Sequence, residues 1–343
     1  MKTVFSPRHA GHAGQTELVG GAIVPGFENP MRARHVRERI EAVALGLVLE
    51  PAPHDIKAAK RVHAAAHVDF LPRAWPMWRD AGHETPAMPF VWPVRGLRAD
   101  VPPKTVEALL GYYSFDGGAT FVEGSWDAIK SSFDTALTAA GIVEAGERAA
   151  FALCRPPGHH AGTATMGGYC YINNAAVAAQ WFRDRGAGRV TILDIDYHHG
   201  NGTQEIFYAR ADVQMVNLHG DPLTEYPHFL GHRDERGAGP GEGFNLNYPL
   251  PAGTGWEGWS AALDDALVQV AAYAPEILVV SLGVDTFEND PISAFRLTSG
   301  DYPQIGARIA GLGLPTLFVM EGGYAVAEIG VNAVGVLTGF EGA

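Results

Sequence analysis

Short apolar runs separated by amphipathic stretches constrain this chain more than any other feature. Six runs read as strands, at residues 3–6, 150–154, 190–196, 213–218, 277–281 and 316–320. Helical patterns lie between them. Residues 174–185 form an Ala-rich periodic run closed by Gly186, residues 302–310 end before Gly311, and residues 256–273 have the same texture. Apolar strands alternating with such helices predict a mainly parallel sheet covered on both faces, an α/β fold. No repeat or long linker divides the chain, so a single domain over residues 1–343 is expected. Residues 75–125 stand apart, rich in Pro, Gly and aromatics with weak periodicity. They read as long loops with short helices, the kind of insertion that is usually functional or interfacial.

Four of the strands run into polar clusters. One enters Arg155-Pro-Pro-Gly-His159-His160. Another enters Asp196-Tyr-His198-His199-Gly-Asn201-Gly. The last two enter Gly283-Val-Asp285 and Glu321-Gly-Gly-Tyr324. Ligands of open parallel sheets bind outside the carboxyl ends of the strands. Loop entry alone explains one such cluster easily and four poorly.

Side chains alternate along a strand, so Ile192, Asp194, Asp196 and His198 share one face. Two carboxylates in an apolar strand are unfavourable by several kcal/mol unless charge or hydrogen bonds compensate. A divalent cation compensates. Asp196 and His198 can reach one ion, and Asp285 is the candidate third ligand. The alternative for this segment is a hydrogen-bonded turn entry. Two carboxylates and one imidazole suit zinc, with Fe(II), Co(II) or Mn(II) also compatible, and three protein ligands leave positions open as catalytic sites do. Asp194 is a candidate partner behind the ligands, or a ligand for a nearby monovalent cation.

His159 and His160 follow a Pro-Pro-Gly turn that presents two imidazoles rigidly. Hydrolysis needs a base for the attacking water and an acid for the departing amine, and imidazole serves as both near neutral pH. Tyr324, freed to turn inward by Gly322 and Gly323, can donate to the oxyanion formed at a carbonyl. Isolated residues of these types are more often structural; their convergence favours catalysis.

Composition narrows the partners. Against 25 Lys and Arg stand 38 Asp and Glu, a formal charge of −13. Such a surface repels phosphate backbones and anionic lipid, so no nucleic acid and no membrane are expected, and a small cationic ligand suits it. Two cysteines fit a reducing compartment. The start, MKTVFSPRHAGHAG, has no apolar signal core, so a cytoplasmic location is expected.

RPPGHH at 155–160, DIDYHHGNGTQ at 194–204, SLGVD at 281–285 and EGGY at 321–324 resemble the histone deacetylase superfamily. TELVGG at 16–21, GYYSFD at 111–116, GGYCYINNAA at 167–176, LHGDP at 218–222, YPHFLG at 226–231 and GVDTFENDPIS at 283–293 resemble its bacterial acetylpolyamine amidohydrolase branch. The resemblance implies the three-layer arginase–deacetylase fold with a central eight-stranded sheet, and hydrolysis of N-acetylated polyamines. Asp196, His198 and Asp285 match zinc ligands. His160 matches the general base and acid, His159 its electrostatic partner, and Tyr324 the carbonyl-polarising tyrosine. Tyr169 and Tyr226 match aromatic tunnel walls, and Glu17 and Glu107 acidic residues near the mouth. The 75–125 insertion matches a segment that dimerises and narrows the entrance, which implies a homodimer or a dimer of dimers. A structural potassium ion is also implied.

Three positions depart from the pattern. A family carboxylate falls at Gly118, with Asp116 nearby. A serine of the potassium site is Asn217. Asn201 stands where some deacetylases carry Asp. Rival activities are a protein lysine deacetylase, which would need an open rim, and a dinuclear arginase-type hydrolase, which would need more carboxylates. An acetyl-binding module without activity would be expected to lose a metal, His or Tyr position, and none is lost.

Overall fold

The polar clusters converge because the strands that carry them are neighbours. The computed structural model describes residues 1–343. Its strands are β1 (Lys2–Val4), β2 (Thr16–Val19), β3 (Ala22–Pro25), β4 (Val48–Leu49), β5 (Ala149–Ala152), β6 (Val190–Asp194), β7 (Val213–Gly220), β8 (Asn245–Leu250), β9 (Ile277–Leu282) and β10 (Thr316–Met320). Its helices are α1 (Met31–Ala42), α2 (Ala65–Asp80), α3 (Val106–Tyr112), α4 (Ser125–Glu144), α5 (Asn174–Asp184), α6 (Asn201–Phe207), α7 (Trp256–Tyr273), α8 (Tyr302–Ala310) and α9 (Ile329–Glu341). Eight strands form one sheet in the order β4-β1-β5-β10-β9-β6-β7-β8. Every pairing in it is parallel, as the apolar runs predicted. The four strands with polar ends, β5, β10, β9 and β6, are consecutive. Their carboxyl ends therefore make one continuous edge.

Alternation along each strand feeds two cores. Ala150 and Ala152 of β5 face one core with Leu71, Phe133 and Val177 from α2, α4 and α5. Ala149 and Phe151 face the other with Ile40, Leu263, Ile305 and Leu337 from α1, α7, α8 and α9. Phe151 and its register partner Phe318 are fully buried there, and each burial contributes roughly 1.5–3 kcal/mol. The sheet is thus the middle of three layers.

The strands outside the apolar pattern lie at the sheet edges or off the sheet. β4 is two residues long, and β8 (NLNYPL) interleaves polar residues and carries a proline. Edges tolerate both features. The β2–β3 hairpin turns at Gly20 and Gly21, with φ of 57° and 86°, and two-residue hairpin turns often demand positive φ. The strand expected to reach Asp196 stops at Asp194. Asp196 and His198 sit in the turn that follows, so their shared orientation comes from that turn and not from the pleat. Within 75–125, α2 runs on to Asp80, an irregular path follows, and α3 is the one short helix. No helix is long and apolar enough to cross a membrane.

Candidate active site

The turn after β6 and the end of β9 bring Asp196, His198 and Asp285 together. Their candidate ligand atoms all lie within 4.8 Å of one another, and all three residues are buried. His198 Nδ1 is 3.0 Å from Asp285 Oδ2 and 3.4 Å from Asp196 Oδ1. His198 Nε2 faces the Ile292 carbonyl at 3.2 Å. A carbonyl only accepts, so in the neutral ring Nε2 carries the hydrogen and Nδ1 aims its lone pair at two carboxylates. That arrangement is repulsive unless a proton or a cation intervenes. Burial and the adjacent Asp196 carboxylate push Asp285 up to about 7. Burial opposes charge on His198, but the bonded carboxylates of Asp196 and Asp285 outweigh it and push the ring up to about 10. Both shifts express uncompensated negative charge. A Cβ at Gly283 would strike Asp196, and one at Gly322 would strike Asp196 and Asp285. The glycines thus let the backbone close around the carboxylates. Donor set and charge fit a divalent metal ion.

The histidine pair is fixed from below. The buried Arg155 guanidinium binds Glu28 and the carbonyls of His9 and His12. The backbone N–H groups of Gly158 and His159 donate to Glu321 Oε2 at 2.7 and 3.1 Å, which ties the Pro-Pro-Gly turn to the end of β10. His159 Nδ1 lies 3.0 Å from Asp194 Oδ2. Burial disfavours its charge, yet Asp196 and Asp194 outweigh that and push it up to about 10. His160 Nδ1 instead meets the neutral Asn201 Oδ1 at 2.7 Å. Burial, with the neighbouring His159 and His198, holds His160 well below 6.5. Two rings with centroids 4.0 Å apart are therefore pushed in opposite directions, His159 toward the charged form and His160 toward the neutral one.

Tyr324 is anchored through its backbone. Its N–H donates to Asp290 Oδ2 at 2.6 Å, Ala325 N–H to the same oxygen at 3.2 Å, and Ile292 N–H to Asp290 Oδ1 at 3.1 Å. Arg32 donates to the carbonyls of Gly323 and Glu321, and its guanidinium carbon lies 4.8 Å from the Tyr324 ring centroid. Burial pushes the phenol well above 10, so the hydroxyl remains a donor.

These groups meet in a cavity of about 380 Å³ lined by His160, His198 and Tyr324 and by Trp92, Tyr169 and Tyr226. Glu17 and Asp116 add carboxylates to the lining. The Tyr169 hydroxyl donates to Glu17 at 2.7 Å, and the Tyr226 hydroxyl to Asp116 at 2.5 Å. Tyr226 packs edge-on against His160, with centroids 5.1 Å apart. Glu107 is not brought into this cavity. It lies on α3 and accepts a 2.7 Å bond from His83. Asp116, two residues from Gly118, supplies the second acidic wall. Sequence reasoning missed Asp290, Glu28 and Arg32. The motif ENDPIS held a usable signal for Asp290, an acid before proline, whereas Glu28 and Arg32 look like any helix-surface pair.

Comparison with known proteins gives this constellation its class. The family model for the histone deacetylase domain matches residues 26–339, and the chain belongs to that family of amide-cleaving deacetylases. It is 57% identical to Acetylpolyamine amidohydrolase 1 of Pseudomonas aeruginosa over 344 residues, 100% of this chain and 99% of that protein. It is 48% identical to Acetylpolyamine amidohydrolase of Mycoplana ramosa, with 100% of each chain covered. The crystal structure of acetylpolyamine aminohydrolase from Burkholderia pseudomallei superposes with a TM-score of 0.94 at 39% identity, covering 99% of this chain and 98% of that one.

Proposed function

We propose that this protein is a zinc-dependent hydrolase that removes the acetyl group from N-acetylated polyamines or similar small acetylated amines, releasing acetate. The observation that carries the chemistry is the buried Asp196–His198–Asp285 set, whose His198 lines one cavity with His160 and Tyr324, beside a His160–His159 pair whose rings are pushed in opposite directions. Groups whose environments push their pKa values apart divide acid and base roles. Aromatic walls and the Glu17 and Asp116 carboxylates suit an alkyl chain with an ammonium group, which agrees with the names of the relatives.

When bound at Asp196, His198 and Asp285, the ion supplies Lewis acidity toward the acetamide carbonyl and the attacking water. Zinc is the ion proposed, and Fe(II), Co(II) and Mn(II) suit the same donors. Asn201 takes the Nδ1 hydrogen of His160, which leaves Nε2 free to accept a proton from the attacking water. The Tyr324 hydroxyl donates to the developing oxyanion. His160 then returns its proton to the departing nitrogen. His159 keeps its proton throughout and stabilises the developing negative charge electrostatically.

The substrate assignment is tested by turnover of acetylcadaverine, acetylputrescine, acetylspermidine and an acetyl-lysine peptide on zinc-loaded protein. At least one small amine should exceed the peptide by tenfold or more in kcat/KM, about 1.4 kcal/mol of preference. Equal turnover of the peptide would favour a protein lysine deacetylase. A homodimer or dimer of dimers belongs to the same proposal. Its support is the apolar surface of the insertion, where Phe90, Val94, Leu97 and Val101 are exposed, and sedimentation of the full chain tests it. A charge of −13 supports a small cation as the partner, with neither nucleic acid nor membrane, and a cytoplasmic location completes the proposal.

A further inference from the structure

The family resemblance implies a monovalent cation beside Asp194, and the side chains present there do not fit one. We infer that the side-chain amide of Asn217 takes that ion's place, so that the turn carrying Asp196 and His198 is held without potassium. The inference concerns the scaffold and does not depend on which amide is hydrolysed.

Asn217 lies on β7 directly across from Asp194 on β6, and it is fully buried. Its Oδ1 accepts the Gly200 N–H at 2.7 Å. Because that backbone group only donates, the oxygen must face it, and this settles the orientation of the amide. The Nδ2 group then points the other way, 3.2 Å from the Asp194 carbonyl and 3.4 Å from the Leu218 carbonyl. A potassium site is built from oxygens that turn lone pairs toward the ion. Here the Asp194 and Leu218 carbonyl oxygens instead face the hydrogens of the Asn217 NH2 group, which fill the space a cation between them would need. Flipping the amide would free the carbonyls but would set an NH2 group against the Gly200 N–H, leaving a buried donor unsatisfied.

The Asp194 carboxylate is also engaged. Oδ1 accepts Asp196 N–H at 3.1 Å and Oδ2 faces His159 Nδ1 at 3.0 Å. The amide thus does two things that serine could not do alone. It satisfies the Asp194 and Leu218 carbonyls, and it ties them to Gly200, the residue that closes the ligand turn before α6.

The test is a comparison of cations on the zinc-loaded protein. After dialysis into choline chloride, it is melted in choline, sodium and potassium chloride at one ionic strength, with turnover of an acetylated diamine followed in parallel. The wild type is expected to melt within about 1 °C and to turn over alike in all three salts. Asn217→Ser removes the amide and restores an oxygen; it is expected to melt lower in choline and to recover with potassium. Asn217→Asp, which replaces the NH2 by an acceptor, is expected to behave likewise if the serine variant fails to accumulate. A saturable rise in wild-type melting temperature with potassium but not with sodium overturns the inference. So does a folded variant as indifferent to potassium as the wild type.

Discussion

Asp290→Asn tests whether the backbone anchor of Tyr324 matters to the chemistry. Asp290 accepts three N–H groups, from Tyr324 at 2.6 Å, Ala325 at 3.2 Å and Ile292 at 3.1 Å, and it is 7% exposed. Hydrogen bonds to a charged acceptor contribute roughly 1.5–3 kcal/mol each. Asparagine has one accepting oxygen. If that oxygen stays on Tyr324 and Ala325, the NH2 group meets Ile292 N–H donor against donor. A stability loss of about 2–3 kcal/mol follows. If the oxygen turns to Ile292, Tyr324 loses its anchor and its hydroxyl drifts from the oxyanion position. Removing such a donor lowers kcat by roughly 10²–10³. The assay is a double-mutant cycle with Tyr324→Phe, reading kcat, KM, bound metal and melting temperature. Tyr324→Phe should lose kcat with metal retained; Asp290→Asn should do the same where its oxygen turns to Ile292 and lose melting temperature alone where it stays, and in either case the double should fall no more than about threefold below Tyr324→Phe. Losses that multiply would refute the coupling. A loss of metal in place of kcat would refute it too, because Asp290 would then act through Ile292 and His198.

Three further outcomes follow from the same geometry. Asn201→Asp places a carboxylate behind His160 Nδ1, now 2.7 Å from an amide oxygen, and should raise the pKa of that ring because an adjacent negative charge favours the imidazolium; because His160 accepts a proton only when neutral, the acid limb of kcat/KM should move to higher pH, and an unmoved limb would contradict its role as base. Metal uptake by stripped protein near neutral pH should release between about one and two protons, since His198 is pushed up to about 10 and Asp285 to about 7 and both must lose their protons to bind; affinity should rise with pH, and calorimetry in two buffers of different ionisation enthalpy checks both. Gly168→Ala should lose about 1–2 kcal/mol of stability, because Gly168 has φ of 50°, and should lower kcat because the added Cβ strikes the His160 ring and the Tyr226 hydroxyl; melting and steady-state rates decide it.

The central strands and their polar ends were legible because each is a local statement. An apolar run such as residues 316–320 needs burial on both faces, and the Glu-Gly-Gly-Tyr after it cannot continue that burial. β8 was not legible because an edge strand needs only half the burial, and NLNYPL shows no clean period. The Glu28–Arg32–Arg155 cluster was illegible for a different reason. Arg155 lies 127 residues from the Glu28 it binds, and Arg32 is held by backbone carbonyls of residues 321 and 323. Nothing near Glu28 or Arg32 in sequence distinguishes them from a solvated i,i+4 pair. Only packing of α1 against the exit of β10 buries them. Asp116 shows the intermediate case. It sits two residues from the position where a carboxylate was expected, and its engagement with the Tyr226 hydroxyl emerges only once residues 110 apart are joined.

The pair His159-His160 shows how identical adjacent residues come to opposite duties. The Pro-Pro-Gly turn presents both rings equally, so the turn cannot assign roles. The residues behind each ring do. Asp194, at the end of a buried strand, puts a carboxylate on His159, while Asn201, at the start of α6, puts a neutral oxygen on His160. Low dielectric magnifies that difference. A carboxylate behind His159 joins Asp196 in favouring the charged ring, whereas the amide behind His160 and the same Asp196 do too little to offset its burial. The His159 ring adds to the separation, since charge on it further disfavours charge on His160. The opposite shifts of the two rings therefore rest on the carboxylates of Asp196 and Asp194 at one ring and an amide at the other, none of which lies on the turn itself.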